Sequence, residues 1–371
     1  MTGSLISWVH RAWSRRGMSG KLLWLGLLPG ALVFRGVVWL RNGLFDVGWL
    51  KSSRLSRPVV SIGNLTVGGT GKTPSALWLA EKLGDLGHRV AILSRGYGVR
   101  EQEGDTAWLD LERAKNLLDA RDGGSVPCAD EPLMMSALYG HTVGVGPQRY
   151  ASALRLLEYD ATLGMFLLDD GFQHRQLARE VDVVLLGSDC QGSMLPAGPF
   201  REPVRALERA DVILVTAAHD QWKRRLAGYD DPSKVFFGQL EPKGIVTRVP
   251  GGWREMPLSA ISGAKVLAVS AIANPEPFYR MLQDWEVEIV DTLEFRDHHS
   301  YTNEDWHEIS RRGHRVEKIM TTEKDLVKLV RYPFAAESLF ALRVEMVVEN
   351  EAALLNRISG SLFSNASQGA D

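Results

Sequence analysis

Eight small or polar residues, Thr66-Val67-Gly68-Gly69-Thr70-Gly71-Lys72-Thr73, separate an apolar β-branched run from a stretch with helical spacing. Small residues let successive backbone N–H groups turn inward around phosphate oxygens, and a following helix offers its positive end to the same anion. In that arrangement Lys72 supplies a point charge to β- and γ-phosphates, and the Thr73 hydroxyl a ligand to Mg²⁺. The pattern G-x-x-x-x-G-K-[ST] wants glycine where this chain has Thr66, so the loop is an altered one. A variant of this loop carries lysine at the position of Val67, and its absence argues against that branch. The competing reading is a glycine-rich turn that ends in Lys-Thr by coincidence. Against it stand the flanks, Val59 to Asn64 reading as a strand and Ala76 to Leu83 as a helix.

Three acidic or histidine-bearing clusters could complete a phosphate chemistry. Met165-Phe166-Leu167-Leu168-Asp169-Asp170-Gly171 describes an apolar strand ending in a carboxylate that holds Mg²⁺ or its water, with Asp169 the first choice and Asp170 the second. Adjacent acids repel unless a cation sits between them, and a surface Asp-Asp-Gly turn is the alternative. Asp130-Glu131-Pro132 opens a helix: either acid could take a proton from an attacking hydroxyl or hold a metal-bound water, or Asp130 could simply cap the helix. In Asp297-His298-His299, paired histidines invite a zinc reading, but no third ligand is apparent; His298 beside a carboxylate suits acid–base work better. Ser94, Arg95 and Tyr97 follow a strand-like run, where a parallel sheet presents ligands. Thr321-Thr322-Glu323-Lys324-Asp325 reads as a helix cap and nothing more.

The elements that must carry these residues alternate strand and helix, which predicts an α/β fold: a P-loop NTPase-like, doubly wound, mostly parallel sheet with a second, smaller α/β domain. The expected division is a membrane-associated helical segment over 1–50, a nucleotide-binding domain over 51–225 and a smaller lobe over 226–371. In the first segment the uncharged core, Leu22 to Phe34, is about thirteen residues and is broken by Pro29-Gly30, whereas a spanning helix needs about 20, so it reads as too short to cross. Basic residues from Arg11 to Arg41 border it, and five of the eleven tryptophans fall there: Trp8, Trp13, Trp24, Trp39 and Trp49. Such a segment suits a bilayer surface on the cytoplasmic face, with a cleaved signal peptide and a packed helical hairpin as alternatives. The net charge of -2 gives no bulk signal for nucleic acid, and two cysteines, Cys128 and Cys190, are too few for a disulfide framework.

Taken in order, GGTGKTP at 68–74, LSRGYG at 93–98, DEP at 130–132, LDDGFQHR at 168–175 and LPAGPFREP at 195–203 resemble the tetraacyldisaccharide 4'-kinase family of Gram-negative lipid A synthesis. IANPEPF at 272–278, DHHSYT at 297–302 and TTEKD at 321–325 extend the resemblance over nearly the whole chain. It implies transfer of the ATP γ-phosphoryl group to the 4' hydroxyl of a membrane-embedded tetraacylated glucosamine disaccharide 1-phosphate, at the bacterial inner membrane. It further implies Asp130 as general base with His298 poising it, Asp169, Asp170 and Glu202 serving the metal and the closed state, and Arg149 touching phosphate. Ala271 stands where this family pattern leads one to expect glycine, which questions the local turn. A P-loop switch that docks on a membrane protein is the competing function; it would need no hydroxyl-activating base.

Overall fold

The computed structural model describes residues 12–13, 15, 17–96, 107–119, 129–335 and 337–367. Trp8, Arg11, Arg16, Tyr97 and Cys128, singled out in the sequence, lie outside them. The first full element among the described residues is helix α1 (Gly17–Asp46), followed by β1 (Val59–Asn64), α2 (Lys72–Asp85), β2 (Val90–Ser94), β3 (Ala107–Leu109) and α3 (Leu111–Asp119). Next come α4 (Asp130–Tyr139), β4 (Thr142–Val145), α5 (Arg149–Tyr159), β5 (Met165–Asp169), β6 (Val181–Leu186), β7 (Val212–Val215) and α6 (His219–Arg225). It continues through β8 (Val235–Val249), β9 (Gly252–Met256), β10 (Lys265–Ser270), α7 (Glu276–Gln283), β11 (Glu288–Glu294) and α8 (Asn303–Gly313), and closes with β12 (Lys318–Thr322), α9 (Glu323–Leu329), β13 (Leu339–Val348) and α10 (Glu351–Ser367). The alternation produces the expected mostly parallel α/β architecture.

The chain divides into two compact units, each built from segments distant in sequence, with breaks that differ from the 50/51 and 225/226 boundaries expected above. The first comprises Met1–Lys72, Asp170–Gln239 and Val348–Asp371. Its sheet runs β1, β6, β7 and the start of β8, all parallel. Strands β1, β6 and β7 are buried along their whole length, as parallel strands covered on both faces must be. Leu65, Phe172, Phe200, Leu207 and Trp222 build the core beside them, and Phe34 and Val38 of α1 pack onto it.

Helix α1 departs from expectation. It runs unbroken through Pro29 for 30 residues, roughly 45 Å at 1.5 Å per residue, and is long and apolar enough by length and composition to cross a membrane. Proline removes one interior hydrogen bond, but docking on either side holds the helix line: Trp24 Nε1 donates to Ser193 Oγ (3.4 Å), and Gly30 lies so close to Pro196 that a Cβ would sit 3.3 Å from its ring. Further along, Arg41 donates to the Gln173 carbonyl (2.8 Å) and Asn42 to Glu202 (2.8 Å). The opposite face bears Met18, Leu22, Leu25, Leu32, Val33, Val37 and Leu40, all exposed. Apolar residues occur on both faces of the helix, so which of them are covered is set by what docks. Residues 17–46 form one continuous helix, so Pro29-Gly30 does not break it.

The second unit comprises Thr73–Asp169 and Leu240–Val347. Strands β5, β2 and β4 pair in parallel, and β3 closes the edge antiparallel to β4. A further run of strands takes the order β11, β10, β12, β13, β8, with β9 folded back antiparallel on β8. Phe278, Leu282 and Met320 fill one face of this run, and Ile309, Leu326 and Leu329 the other.

Candidate active site

In the first unit, β1 feeds directly into the glycine-rich loop, and Lys72 is the first residue of α2. Gly68 (φ 112°) and Gly71 (φ 77°) take backbone conformations closed to most side chains, so glycine is required at both. The loop is pinned from several sides. Val67 N–H donates to the Pro199 carbonyl (2.8 Å), Arg201 N–H to the Leu65 carbonyl (2.7 Å), Asn64 Nδ2 to Thr70 Oγ1 (2.8 Å), and Thr216 Oγ1 to the Thr70 carbonyl (3.1 Å). Thr66 bridges to Phe200. Thr66 and Thr70 are buried while Gly68 and Gly69 are exposed, so the threonines anchor the loop and the glycines leave its crest open.

Asp170 stands in the left-handed region (φ 50°), gripped by Arg201 at 2.8 and 3.1 Å in the two-pronged geometry guanidinium makes with carboxylate. Arg201 also donates to Asn64 Oδ1. Lys72 Nζ reaches the same carboxylate only at 3.9 Å, a loose contact that a phosphate can displace. The cation that two adjacent acids call for is therefore present at Asp170, and it is a guanidinium. Glu202 is 1% exposed and is taken up by Arg209 (3.0 Å) and Asn42 (2.8 Å), tying α1 to the loop before β7.

In the second unit Asp169 ends β5, buried, and Thr73 stands in the first turn of α2. Oxygen donors of these types are the hard ligands Mg²⁺ prefers. Arg149 is buried at the start of α5 and donates to the Pro147 carbonyl (3.1 Å).

Helix α4 begins with Ala129 as N-cap and no side-chain cap, so Asp130 does not cap the helix. Its carboxylate turns instead to His298 Nδ1 (3.7 Å) and Lys328 Nζ (3.4 Å). Burial pushes the Asp130 carboxyl up, but the facing His298 imidazole and the charges of Lys328 and Lys324 outweigh it and hold the group below the usual carboxylate range. His298 has φ 57°, a strained position for a non-glycine residue, with its N–H on Asp297 Oδ1 (3.1 Å). His299 points elsewhere: it stacks on Phe295 and meets Asp305 at 2.9 Å. Neighbouring histidines with different partners correct the zinc alternative, and among the described residues no cluster of three metal-ligating side chains occurs. Ala271 needs no positive φ; its N–H donates to Asp325 (2.9 Å), so alanine serves where glycine was expected.

Sequence reading missed Asn64, the Arg201 grip on Asp170, and Lys328. Arg201 and Glu202 stand side by side in LPAGPFREP, but each has its partner elsewhere in the chain, Asp170 for the arginine and Arg209 for the glutamate.

A strand running through a glycine turn into Lys-Thr at a helix start, with a buried aspartate closing another parallel strand, defines a P-loop nucleotide-binding α/β protein. The chain belongs to the tetraacyldisaccharide-1-P 4'-kinase family, whose profile matches residues 23–362. It is 37% identical over 338 residues to the tetraacyldisaccharide 4'-kinase of Syntrophus aciditrophicus, covering 86% of this chain and 88% of that one. With the enzyme of the same name from Pelobacter propionicus it shares 35% over 357 residues, 94% of this chain and 95% of that one. Among solved structures it resembles LpxK from Aquifex aeolicus in complex with ATP, at 30% identity and a TM-score of 0.70 over 92% of this chain and 99% of that chain.

Proposed function

We propose that this chain transfers the γ-phosphoryl group of ATP to the 4' hydroxyl of a tetraacylated glucosamine disaccharide 1-phosphate, forming lipid IVA, on the cytoplasmic face of the bacterial inner membrane. Family membership supports the substrate, and the pairing of Asp130 with His298 and Lys328 carries the reading of a hydroxyl-activating kinase. In this reading residues 1–50 meet the lipid, 51–225 bind nucleotide and 226–371 bring His298 to Asp130. The loop from Thr66 to Thr73 cradles the phosphates, with Arg149 as a further contact, and Lys72 neutralises charge on the γ-phosphoryl group as it leaves ADP. Asp130 accepts the proton of the 4' hydroxyl, and His298 orients that carboxylate.

Thr73, Asp169 and Asp170 would hold Mg²⁺, which would supply charge neutralisation to the phosphates of ATP. Glu202 would act one step removed, through the Arg209 and Asn42 contacts that seat α1. The exposed apolar face of α1 sinks into the bilayer surface while its other face stays on the protein, which brings an acceptor with four acyl chains to the nucleotide without leaving the lipid.

ATP turnover measured with and without acceptor lipid tests this. The expected result is turnover that requires the lipid and stops when Mg²⁺ is chelated. Acceptor-independent turnover stimulated by a membrane protein would overturn it in favour of a switch.

A further inference from the structure

The TTEKD run does more than start α9. Thr322 does cap that helix, its Oγ1 accepting from Asp325 N–H (3.2 Å). Asp325 itself is fully buried and holds the Ala271 N–H (2.9 Å), the Thr322 hydroxyl (2.8 Å) and Lys328 Nζ (2.8 Å). Lys328 also donates to the His299 carbonyl (3.1 Å) and stands 3.4 Å from Asp130, above the Tyr301 ring. Lys328 Nζ thus lies among two carboxylates and a carbonyl, a setting that suits a group able only to donate.

One turn earlier, on the same face of the helix, Lys324 Nζ meets Asp297 Oδ1 (3.3 Å), His298 Nε2 (3.3 Å) and Glu131 Oε1 (3.6 Å). Because an ammonium can only donate, His298 Nε2 must accept, which puts the ring proton on Nδ1, the nitrogen that faces Asp130.

We propose that Lys324 and Lys328 are positioning residues for phosphoryl transfer: Lys324 fixes the His298 tautomer that donates toward Asp130, and Lys328 holds Asp130 ionised and in place. This rests on Asp130 as the base of the proposed function. Among the described residues, His298 from the loop after β11 and Lys324 and Lys328 from α9 act on Asp130 directly, Tyr301 interacts with it, and Asp297, Glu131 and Asp325 lie one contact away, against His298, Lys324 and Lys328. Removal of the Lys328 charge takes away a force that lowers the Asp130 pKa.

The test compares full-length Lys328→Met, Lys328→Arg, Lys324→Met and Asp130→Asn proteins in detergent micelles with ATP, Mg²⁺ and acceptor lipid, reading kcat and the KM for ATP against pH. In Lys328→Met the acid limb of kcat moves to higher pH and kcat falls by roughly tenfold or more with KM for ATP unchanged, and Lys328→Arg restores the limb. In Lys324→Met kcat falls likewise, and nitrogen NMR of His298 changes from the Nδ1–H form to a tautomer mixture. An unmoved acid limb in a folded Lys328→Met protein, with Asp130→Asn inactive, overturns the proposal and leaves the base in place. Wild-type turnover in Asp130→Asn overturns the base and the proposal together. Should Lys328→Met not fold, a Lys324→Met protein with wild-type kcat and an unchanged His298 tautomer overturns the proposal by itself.

Discussion

Asp130 has the surroundings a base needs: a carboxylate partly withdrawn from water, kept ionised by flanking cations, and aligned by an imidazole. Lys72 has a different task, set by its place at the start of α2 behind a turn of open glycines. The two are expected to separate kinetically. Asp130→Asn lowers kcat by about 10²–10⁴-fold with little change in ATP affinity, whereas Lys72→Ala weakens both; paired isothermal titrations and turnover assays check this, and equal mild effects would remove Asp130 from the mechanism. At this scale the sequence was only half legible. The setting of Lys72 and Thr73, a glycine turn entering a helix, could be read because it depends on neighbours in the chain. Asp130 could not be told from a helix cap until Ala129 proved to be the cap, and the grip of Arg201 on Asp170 spans 31 residues, a pairing that spacing does not encode.

At the scale of elements, α1 carries its information in two faces. Asn42, Arg41, Trp24 and Gly30 seat one face on the first unit, and the leucines and valines of the other face are left exposed among the described residues. Counting uncharged residues between Lys21 and Arg35 underestimates this helix, because Pro29 was expected to end it and tertiary docking carries it past. Replacing Leu25 and Leu32, 52% and 67% exposed, with glutamate is expected to reduce binding to anionic vesicles by tenfold or more, given about 1.5–3 kcal/mol for each leucine no longer buried in lipid. ATP binding in detergent should stay as in the wild type. Sedimentation with vesicles reads the first quantity, and undiminished sedimentation of the double variant would exclude this face as the lipid contact.

At the scale of the molecule, the second unit holds an ionisable group that ties its stability to pH. Glu323, buried at the start of α9, accepts from the Tyr139 hydroxyl (2.7 Å) and pairs with Arg343 (3.2 Å), so the far end of α4 and strand β13 meet on one carboxyl. Burial pushes it up to about 7 despite these partners. The native state therefore holds the proton more tightly than the unfolded chain, and the protonated group's stabilisation, full below the ordinary 4.5, is lost as pH rises through about 7. The loss is on the order of 3 kcal/mol. Thermal unfolding should show the midpoint falling from about pH 5 to about pH 8, and Glu323→Gln should flatten that slope; an unchanged slope in the variant would place the titration elsewhere. The alternation of strands and helices made the α/β class legible in advance. The division into units was not, since each is assembled from segments far apart in sequence.

The most direct measurement is the position of the phosphate on the product. Incubation of the full chain with γ-labelled ATP, Mg²⁺ and tetraacyl disaccharide 1-phosphate in micelles, followed by phosphorus NMR and mass spectrometry of the lipid, reads it. The expected result is a single new phosphomonoester at the 4' oxygen, absent when Mg²⁺ is chelated and lost in Asp130→Asn. Label on another hydroxyl, or label released only as inorganic phosphate, would contradict the assignment.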